Sequence, residues 1–329
     1  MTRKRRVGVI GSMVWDVIYG RHANVAPVEE WGGVSYAMAG LDAALDPDWE
    51  IVPILKVGDD LIDQATRFIS TFERLAPDAA LIGVPYPNNR VELHYIDEER
   101  RTETMTGGVP GWNWLGLKPV LEMARLDALY VNFLSGWEID VETAQLVRRH
   151  FQGPIYCDLH MLAWAIQPDG ARTLRPIPNV REWCSSFDFL QVNEDEMTML
   201  APDPMALAAT ALHAGVRSLS VTMGKRGAVY FAAADFETID DLRTPRQNDT
   251  RLSASLAPLR TALVPAEHVP PGDPTGCGDV WGATQFSRLL AGDNLHAAIR
   301  AANHAAGRNV GHRGARGLAD HLRGKISLT

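Results

Sequence analysis

The composition of this chain excludes several classes of protein. With 329 residues, 46% of them hydrophobic and 22% charged, the chain can bury a large core in one α/β domain or in two smaller ones. Its formal net charge of -8 argues against a general nucleic-acid binder, because such proteins need a clustered basic surface to displace counterions from phosphates. We therefore expect a small-molecule partner and no nucleic acid.

Apolar runs and cysteines indicate the cellular compartment of the protein. The first apolar run, residues 7–10, is too short for a signal-peptide core, and no later segment has the roughly 18 unbroken apolar residues of a membrane span. Three cysteines, Cys157, Cys184 and Cys277, lie far apart and are odd in number. This pattern predicts neither a disulfide framework nor a zinc site. We expect a cytoplasmic protein without a membrane partner.

The predicted elements alternate between strands and helices. Residues 7–10 form a short apolar strand that runs into Gly11-Ser12, as an inner parallel strand does where it meets a loop. Further buried strands are predicted at 51–57, 128–133, 155–158, 189–192 and 219–222, most of them separated by helical periodicity. This alternation predicts an α/β fold with a doubly wound, mainly parallel sheet. His160, after one of these strands, is interpreted as a hydrogen-bonded loop histidine.

One segment departs from this alternation. Residues 90–96 alternate as a half-buried strand, 97–100 form a polar turn, and 101–105 return as a second strand, so we predict a projecting hairpin. The segments 107–114 and 236–255 are predicted loops. Neither is typical of an interdomain linker. We therefore predict a single domain over residues 1–329.

The most informative segment is a glycine-rich turn near the C-terminus, Pro-Gly-Asp-Pro-Thr-Gly-Cys-Gly-Asp, which precedes a helical pattern. Such a turn aims the backbone N–H groups of Gly276, Cys277 and Gly278 at one point, where the helix dipole also favours negative charge. Asp279 lies beside this anion hole. A carboxylate binds phosphate poorly, so Asp279 is better placed as a base for an attacking hydroxyl. The alternative is that Asp273 and Asp279 only cap the helix.

Two rival phosphate motifs fail in detail. Gly224-Lys225 is followed by arginine and lacks the upstream glycine of a P-loop, which removes that interpretation. The spacing of Gly276, Gly278 and Gly282 is one residue too long for a dinucleotide fingerprint. An NAD-dependent oxidoreductase is therefore a weaker alternative.

Residues 273–279, Asp-Pro-Thr-Gly-Cys-Gly-Asp, resemble the C-terminal signature D-T-x-G-A-G-D of the PfkB family of carbohydrate kinases. Both glycines and both terminal aspartates are kept, while proline replaces the usual threonine and cysteine the common alanine. The resemblance implies a ribokinase-like fold with helices on both faces of the sheet and a small β lid. It also implies ATP-dependent phosphorylation of a hydroxyl on a sugar-like molecule, with Asp279 as catalytic base and residues 276–278 as anion hole.

Two further segments resemble the family in the expected order. Asn193 and Glu196 match its N-x-x-E motif, which implies help in placing Mg²⁺ and phosphate, with Glu196 acting through water. Read alone, they form a polar helix N-terminus. Thr222, Gly224 and Gly227 match the T-L-G-x-x-G strand and turn that lie along the nucleotide. Read alone, they form an ordinary hairpin turn.

The end of the chain resembles the helix and loop that close over adenine in this family. By that resemblance Asn303 is the purine neighbour, and Thr275 of the signature is a second nucleotide contact. In many members the same region holds a monovalent cation such as K⁺, for which Asp273 is the candidate ligand.

The N-terminal half is less regular. Asp16 resembles the acidic residue that binds substrate hydroxyls, although a loop-capping role is the alternative. Gly32 and Gly33 resemble the start of the signature G-G-x-x-x-N, where glycines let the backbone approach the substrate. Ala37 stands in place of its Asn, which removes an amide that would bind hydroxyls. Tyr36 is a candidate for stacking on a substrate ring, or for packing in the core.

The resemblance also implies a lid formed by about residues 15–36 and 88–106. In the family the lid shields the transfer from water, and in some members two lids pair into a homodimer. Two alternatives remain open. The first is a nucleoside kinase of the same family, and the second is a non-catalytic sugar or nucleotide sensor built on the same fold.

Overall fold

A computed structural model describes residues 3–19, 27–95, 101–201, 203–243 and 259–325. The strands are β1 (Arg5–Ile10), β2 (Met13–Tyr19), β3 (Val28–Gly33), β4 (Trp49–Ile54), β5 (Lys56–Gly58), β6 (Ile82–Val84), β7 (Arg90–Tyr95), β8 (Arg101–Thr106), β9 (Ala128–Asn132), β10 (Ile155–Asp158), β11 (Trp164–Ile166), β12 (Arg172–Leu174), β13 (Phe189–Asn193), β14 (Ser218–Thr222), β15 (Ala228–Ala233) and β16 (Leu259–Val264). The helices are α1 (Val34–Ala44), α2 (Ile62–Ile69), α3 (Trp114–Ala124), α4 (Val141–His150), α5 (Val180–Ser185), α6 (Glu194–Leu200), α7 (Pro204–Ala214), α8 (Cys277–Leu290), α9 (Leu295–Asn309) and α10 (Leu318–Leu322).

The main sheet has eight strands in the order β16-β15-β14-β13-β10-β9-β1-β4. The six strands from β14 to β4 run parallel, and β15 and β16 pair antiparallel at one edge. Along β9, Tyr130 faces one hydrophobic core, which includes residues of α1, α8, α9 and α10. Leu129 and Val131 face the other, which includes residues of α3, α4, α5 and α7. The predicted doubly wound, mainly parallel sheet with helices on both faces is confirmed.

One predicted strand is wrong in its extent. The apolar run at 51–57 is divided between β4, in the main sheet, and β5, which leaves that sheet to pair with β6. A continuous apolar run does not reveal such a change of partner, because both strands are buried.

A second sheet of four strands, in the order β3-β2-β7-β8, stands beside the main sheet. β2 follows β1 after only two residues, Gly11 and Ser12, so this sheet begins where β1 ends. β7 and β8 form the predicted hairpin, and its turn at 97–100 lies outside the described residues. A small apolar cluster that includes Val14, Val91 and Met105 packs on one face.

The hairpin of β11 and β12 attaches the second sheet to the main body. The Met105 N–H donates to the Gly170 carbonyl at 3.1 Å, and an antiparallel bridge joins Thr104 to Ala171. Arg172, whose side chain is 8% exposed, forms an ion pair with Glu103 at 3.1 Å. These contacts therefore hold the outer strand β8 along the edge that does not pair with β7.

The N-terminus of α8 is brought to the carboxyl edge of the main sheet by close helix packing. A Cβ built on Gly40 of α1 would lie 2.9 Å from Ala283 Cβ on α8, so these two helices approach at a distance that only glycine permits. None of the helices in the described segments combines the length and apolarity that crossing a bilayer requires.

Candidate active site

Polar side chains gather where neighbouring parallel strands end. β9 ends at Asn132 and β10 at Asp158, which are paired in register. β13 ends at Asn193, which pairs with Thr222 at the end of β14. Because the carboxyl ends of parallel strands share one edge of the sheet, ligands bind there in open α/β folds.

The glycine-rich turn opens α8 without a side-chain cap. Gly276, at φ 75°, is the N-cap residue, and no side chain bonds to the first turn as a cap. Asp273 instead accepts a hydrogen bond from the Thr275 N–H at 2.9 Å, before the helix begins. Asp279 accepts from Asn132 Nδ2 at 2.6 Å. The alternative in which both aspartates cap the helix is therefore wrong.

The three residues of the predicted anion hole differ in their surroundings. The Cys277 N–H donates to the Pro274 carbonyl at 3.1 Å, so it is used within the turn. A Cβ on Gly276 would lie 2.1 Å from the Tyr36 ring, whereas a Cβ on Gly278 would meet only Gln191 Nε2 at 3.8 Å. Gly276 is required by packing, and Gly278 borders open space at a helix N-terminus, where N–H groups have no intrahelical acceptor. The surroundings of Gly278 fit an approaching phosphate.

Asp279 has the properties of a base. It is half-buried, and its partial removal from water raises the pKa of the carboxyl to about 6, against the lowering effects of His160 and of the Asn132 hydrogen bond. A carboxylate with this pKa is ionised at neutral pH, yet it accepts a proton more readily than an ordinary aspartate does.

A second set of charged groups lies next to Asp279. His160 Nδ1 lies 2.5 Å from Glu196 Oε1, and the His160 N–H donates to Asp158 Oδ1 at 3.3 Å. Burial alone would lower the pKa of His160, but the Glu196 carboxylate raises it to about 10. Burial raises the pKa of Asp158, which is 5% exposed. His160, interpreted from sequence as a hydrogen-bonded loop residue, is one half of an ion pair at the site.

Glu196 has no exposed oxygen with which to bind Mg²⁺ directly, and its action on Mg²⁺ through water stays a prediction. Asn193 and Glu196 form a reciprocal capping box at the start of α6, with the Asn193 N–H donating to Glu196 Oε2 at 2.8 Å. Oε1 accepts from Asn193 Nδ2 and contacts His160. Both oxygens are thus engaged in a side chain that is 1% exposed. Among the described residues, no group of three or more His, Cys, Asp or Glu could hold a metal ion.

The residues predicted to lie along the nucleotide differ in how closely they are packed. Thr222 Oγ1 donates to the Val192 carbonyl at 3.5 Å. Gly224, at φ 55°, has open space where a Cβ would stand, but a Cβ on Gly227 would lie 2.1 Å from the Val264 carbonyl. Gly227 is therefore required by the packing of β16, and a nucleotide contact by Thr222 and Gly224 stays a prediction.

Asn303 is fully hydrogen-bonded inside the protein. Its Nδ2 donates to the Val264 carbonyl at 2.9 Å and to Pro265, and its Oδ1 accepts from Trp281 Nε1 at 2.7 Å. Such a side chain has no amide donor left for a purine, so any contact would be through packing. By contrast, Thr275 Oγ1 is buried with no hydrogen-bond partner within the described segments. Its predicted contact with the donor stays a prediction, as does the cation contact of Asp273.

The N-terminal residues of the predicted substrate site pack against one another. Asp16 is 7% exposed, and a Cβ on Gly32 would lie 1.8 Å from its Oδ2. Gly33, at φ 62°, would place a Cβ 2.5 Å from the Ser12 carbonyl. These glycines therefore allow the second sheet to approach Asp16. Tyr36 is 2% exposed against Gly276, as the packing alternative predicts.

Three positioning side chains were missed by sequence reasoning. Asn132 bonds to Asp279. Gln191 Nε2 donates to the Gly278 carbonyl at 2.9 Å. Glu138 accepts N–H groups from the loop that follows β9. Asn132 and Gln191 are polar residues inside predicted buried strands. A buried polar side chain needs a hydrogen-bond partner, so their positions could have indicated these contacts.

Comparison with known proteins finds a match to one family. The model of the pfkB family carbohydrate kinases matches residues 166–321, a range that includes the turn, Asp279 and the capping box. Over this part of the sequence the chain is similar to the PfkB family of carbohydrate kinases. The ribokinase of Bacillus subtilis (strain 168) is 29% identical over 162 residues, which are 49% of this chain and 44% of that ribokinase. The match thus spans less than half the length of this relative.

Solved structures extend the similarity of fold to the whole chain. A ribokinase from Arabidopsis thaliana, complexed with ribose and ATP, superposes with a TM-score of 0.67 at 15% identity and covers 100% of both chains. A nucleoside kinase from Burkholderia thailandensis, in complex with inosine, gives 0.65 at 15% identity over 95% of this chain and 94% of its own. The predicted ribokinase-like fold is confirmed.

Proposed function

We propose that this protein is an ATP-dependent phosphotransferase that phosphorylates a hydroxyl of a small sugar or sugar-like molecule. The observation that carries the proposal is the position of Asp279. A carboxylate with a raised pKa lies in the first turn of α8, beside a glycine turn with open space in front of Gly278. A base next to an anion-binding helix N-terminus is the pair of groups that in-line phosphoryl transfer to a hydroxyl requires.

The proposed chemistry follows from these groups. The acceptor hydroxyl lies between Asp16 and Asp279, and Asp279 takes its proton as the acceptor oxygen bonds to the terminal phosphorus of ATP. The bond from that phosphorus to the bridging oxygen breaks, and ADP leaves. The N-terminus of α8 stabilises the charge on the moving group. No covalent enzyme intermediate is needed, and no step is assigned to Mg²⁺ because no group of three or more His, Cys, Asp or Glu among the described residues could hold a metal ion.

The buried aromatic residues support a sugar-like acceptor over a nucleoside. A nucleoside base needs an exposed ring for stacking, and the aromatic residues next to the predicted substrate residues in the sequence are Trp15, Trp31 and Tyr36. They are 7%, 2% and 2% exposed, and Trp15 packs edge-to-face on Trp31 with ring centroids 5.0 Å apart. A polyol, recognised by carboxylates through its hydroxyl groups, fits these surroundings better. A nucleoside kinase remains the second candidate.

The test is ADP production from ATP and Mg²⁺ with a panel of pentoses, hexoses, cyclitols and nucleosides. Native protein is compared with Asp279→Ala and with Asp63→Asn, a matched control in which an exposed aspartate in the first turn of α2 is changed. We expect acceptor-dependent turnover that falls by about 10³-fold or more in Asp279→Ala and persists in the control. Unchanged turnover in Asp279→Ala would reject the base. No turnover with any acceptor would favour the sensor.

A further inference from the structure

We propose that Asn132 is a positioning residue for Asp279, which binds its Oδ1 and thereby leaves Oδ2 as the atom that receives the acceptor's proton. This inference rests on the proposed function. It adds a residue from a different element, the end of β9, and it assigns different roles to the two oxygens of the base.

The assignment follows from hydrogen-bond chemistry. Asn132 Nδ2 lies 2.6 Å from Asp279 Oδ1, between residues 147 positions apart in sequence. An amide N–H only donates, so the oxygen that it binds must remain an acceptor. The hydrogen bond to Oδ1 stabilises negative charge on that oxygen, so Oδ1 is the less basic oxygen and Oδ2 takes a proton more readily. Proton transfer is therefore directed to one atom of the carboxylate.

The backbone around Asn132 fixes the amide in place. Asn132 ends a central parallel strand and pairs in register with Asp158 of β10. The next residue, Phe133, donates its N–H to the Asp158 carbonyl at 3.1 Å and accepts from Met161 at 3.0 Å. The Asn132 side chain is 0% exposed. The sheet thus fixes the backbone that carries this buried side chain, as a positioning residue requires.

No competing structural role accounts for this amide. Within the part of the chain that the structure describes, its one side-chain hydrogen bond is the bond to Asp279, and Asn132 Oδ1 is buried without a partner. A buried amide with an unsatisfied oxygen costs stability. Buried polar groups of this kind are rare in native proteins and call for an explanation. The bond to the base supplies one.

The charged and titratable groups that face Asp279 come from several elements. They are His160, Glu196, Asp158, Tyr36, Tyr130 and Cys277. Burial raises the pKa of Asp279, and both His160 and the Asn132 hydrogen bond lower it. Removing the amide should therefore raise the pKa of Asp279, while the other groups stay in place.

The first test compares pH–rate profiles of native protein, Asn132→Ala and Asn132→Asp. We expect kcat of Asn132→Ala to fall by about 10- to 100-fold with KM nearly unchanged, because only the base is misplaced. The acid limb of the pH–kcat profile should move up by about one pH unit. This is the pKa change expected when a carboxylate loses one hydrogen bond. Asn132→Asp should move it further, since a second carboxylate repels the first.

Asn88→Ala is the matched control for loss of a buried amide. Asn88 is 0% exposed and bonds to the Met13 carbonyl and the Gly58 N–H, so this variant should lose stability without moving the acid limb. If Asn132→Ala behaves like Asn88→Ala, its role is structural and the inference is overturned.

A double-mutant cycle tests the bond without activity. The unfolding free energies of native protein, Asn132→Ala, Asp279→Ala and the double variant are compared at pH 8 and pH 5. We expect non-additivity at pH 8 that shrinks at pH 5, where Asp279 becomes protonated. Additivity at both values overturns the inference. If Asp279→Ala loses turnover but Asn132→Ala keeps the native acid limb, the inference about Asn132 is overturned and the proposed function stands. If Asp279→Ala keeps full turnover, the proposed function itself is overturned.

Discussion

Gly278→Ala should separate catalysis from stability. Gly278 is the second residue of α8, and an added Cβ would meet only Gln191 Nε2 at 3.8 Å. Because alanine favours a helix over glycine, the unfolding free energy should stay the same or rise by up to about 1 kcal/mol. The same methyl group would stand where a phosphate approaches the first turn. We expect kcat to fall by about 100-fold, which is about 2.7 kcal/mol of transition-state stabilisation.

Gly276→Ala, two residues earlier, should behave in the opposite way. At φ 75° a non-glycine residue costs about 1–2 kcal/mol. Its Cβ would also lie 2.1 Å from the ring of Tyr36, which is 2% exposed and has little room to move. Overpacking of this kind costs about 1–3 kcal/mol more. The unfolding free energy should therefore fall by about 2–5 kcal/mol.

The assay combines urea unfolding with ADP production on the acceptor that the panel identifies. Gly116→Ala is the matched control, since Gly116 is exposed in the first turn of α3 and its Cβ would make no contact closer than 3.4 Å. It should show the stability effect of Gly278→Ala without loss of turnover. Native kcat in Gly278→Ala would refute the argument that a phosphate approaches this glycine.

Three further predictions concern charged groups at or near the site. The kcat/KM should rise with pH through about 6 as Asp279 ionises. Because the folded pKa of Asp279 is raised from 3.8 to about 6, the unfolding free energy should fall as pH rises between these two values. His160→Ala should destabilise by about 1–3 kcal/mol at pH 7, discounted because His160 is 37% exposed. That loss should be complete below pH 6.5 and should fade as pH rises through about 10. Glu138→Gln should cost about 2–4 kcal/mol, because its NH₂ replaces the oxygen that accepts from Gly136 at 3.0 Å.

Controls for these predictions come from the same chain. Asp279→Asn should remove the pH 6 dependence of unfolding and should be more stable than native protein at pH 8. His213→Ala and Glu122→Gln change exposed residues of α7 and α3 and should shift unfolding by less than about 0.5 kcal/mol. A native unfolding curve for His160→Ala or Glu138→Gln would show that the buried contacts described above contribute nothing to stability.

The strands that build the site were predictable because their signal is local. Residues 128–133, 155–158 and 189–192 are apolar runs of strand length between helical patterns, and the structure has β9, β10 and β13 there. The run at 51–57 was wrong as a single strand, since a change of sheet partner leaves no trace in hydrophobicity. The glycine turn was also local, because its residues are contiguous from 271 to 279.

The partners of the site residues were not predictable. Glu196 was predicted to help place Mg²⁺ through water, with a polar helix N-terminus as the alternative, and only its contacts with Asn193 and His160 show both oxygens engaged. Asn303 matched a nucleotide contact by position, yet its amide bonds Val264 and Pro265. In each case the deciding partner lies in another segment, and one sequence does not state which segments meet.

By itself the sequence determined the α/β class, the positions of most buried strands along the chain, and the glycine turn with Asp279. These features were predictable because periodicity and turn chemistry act between neighbours along the chain. Only the tertiary structure decided that Asn132 holds Asp279, that Gly276 packs on Tyr36 while Gly278 faces open space, and that His160 pairs with Glu196. These contacts depend on the register of β9, β10 and β13 and on the closeness of α1 to α8. Register and helix approach are set by the packing of the whole core.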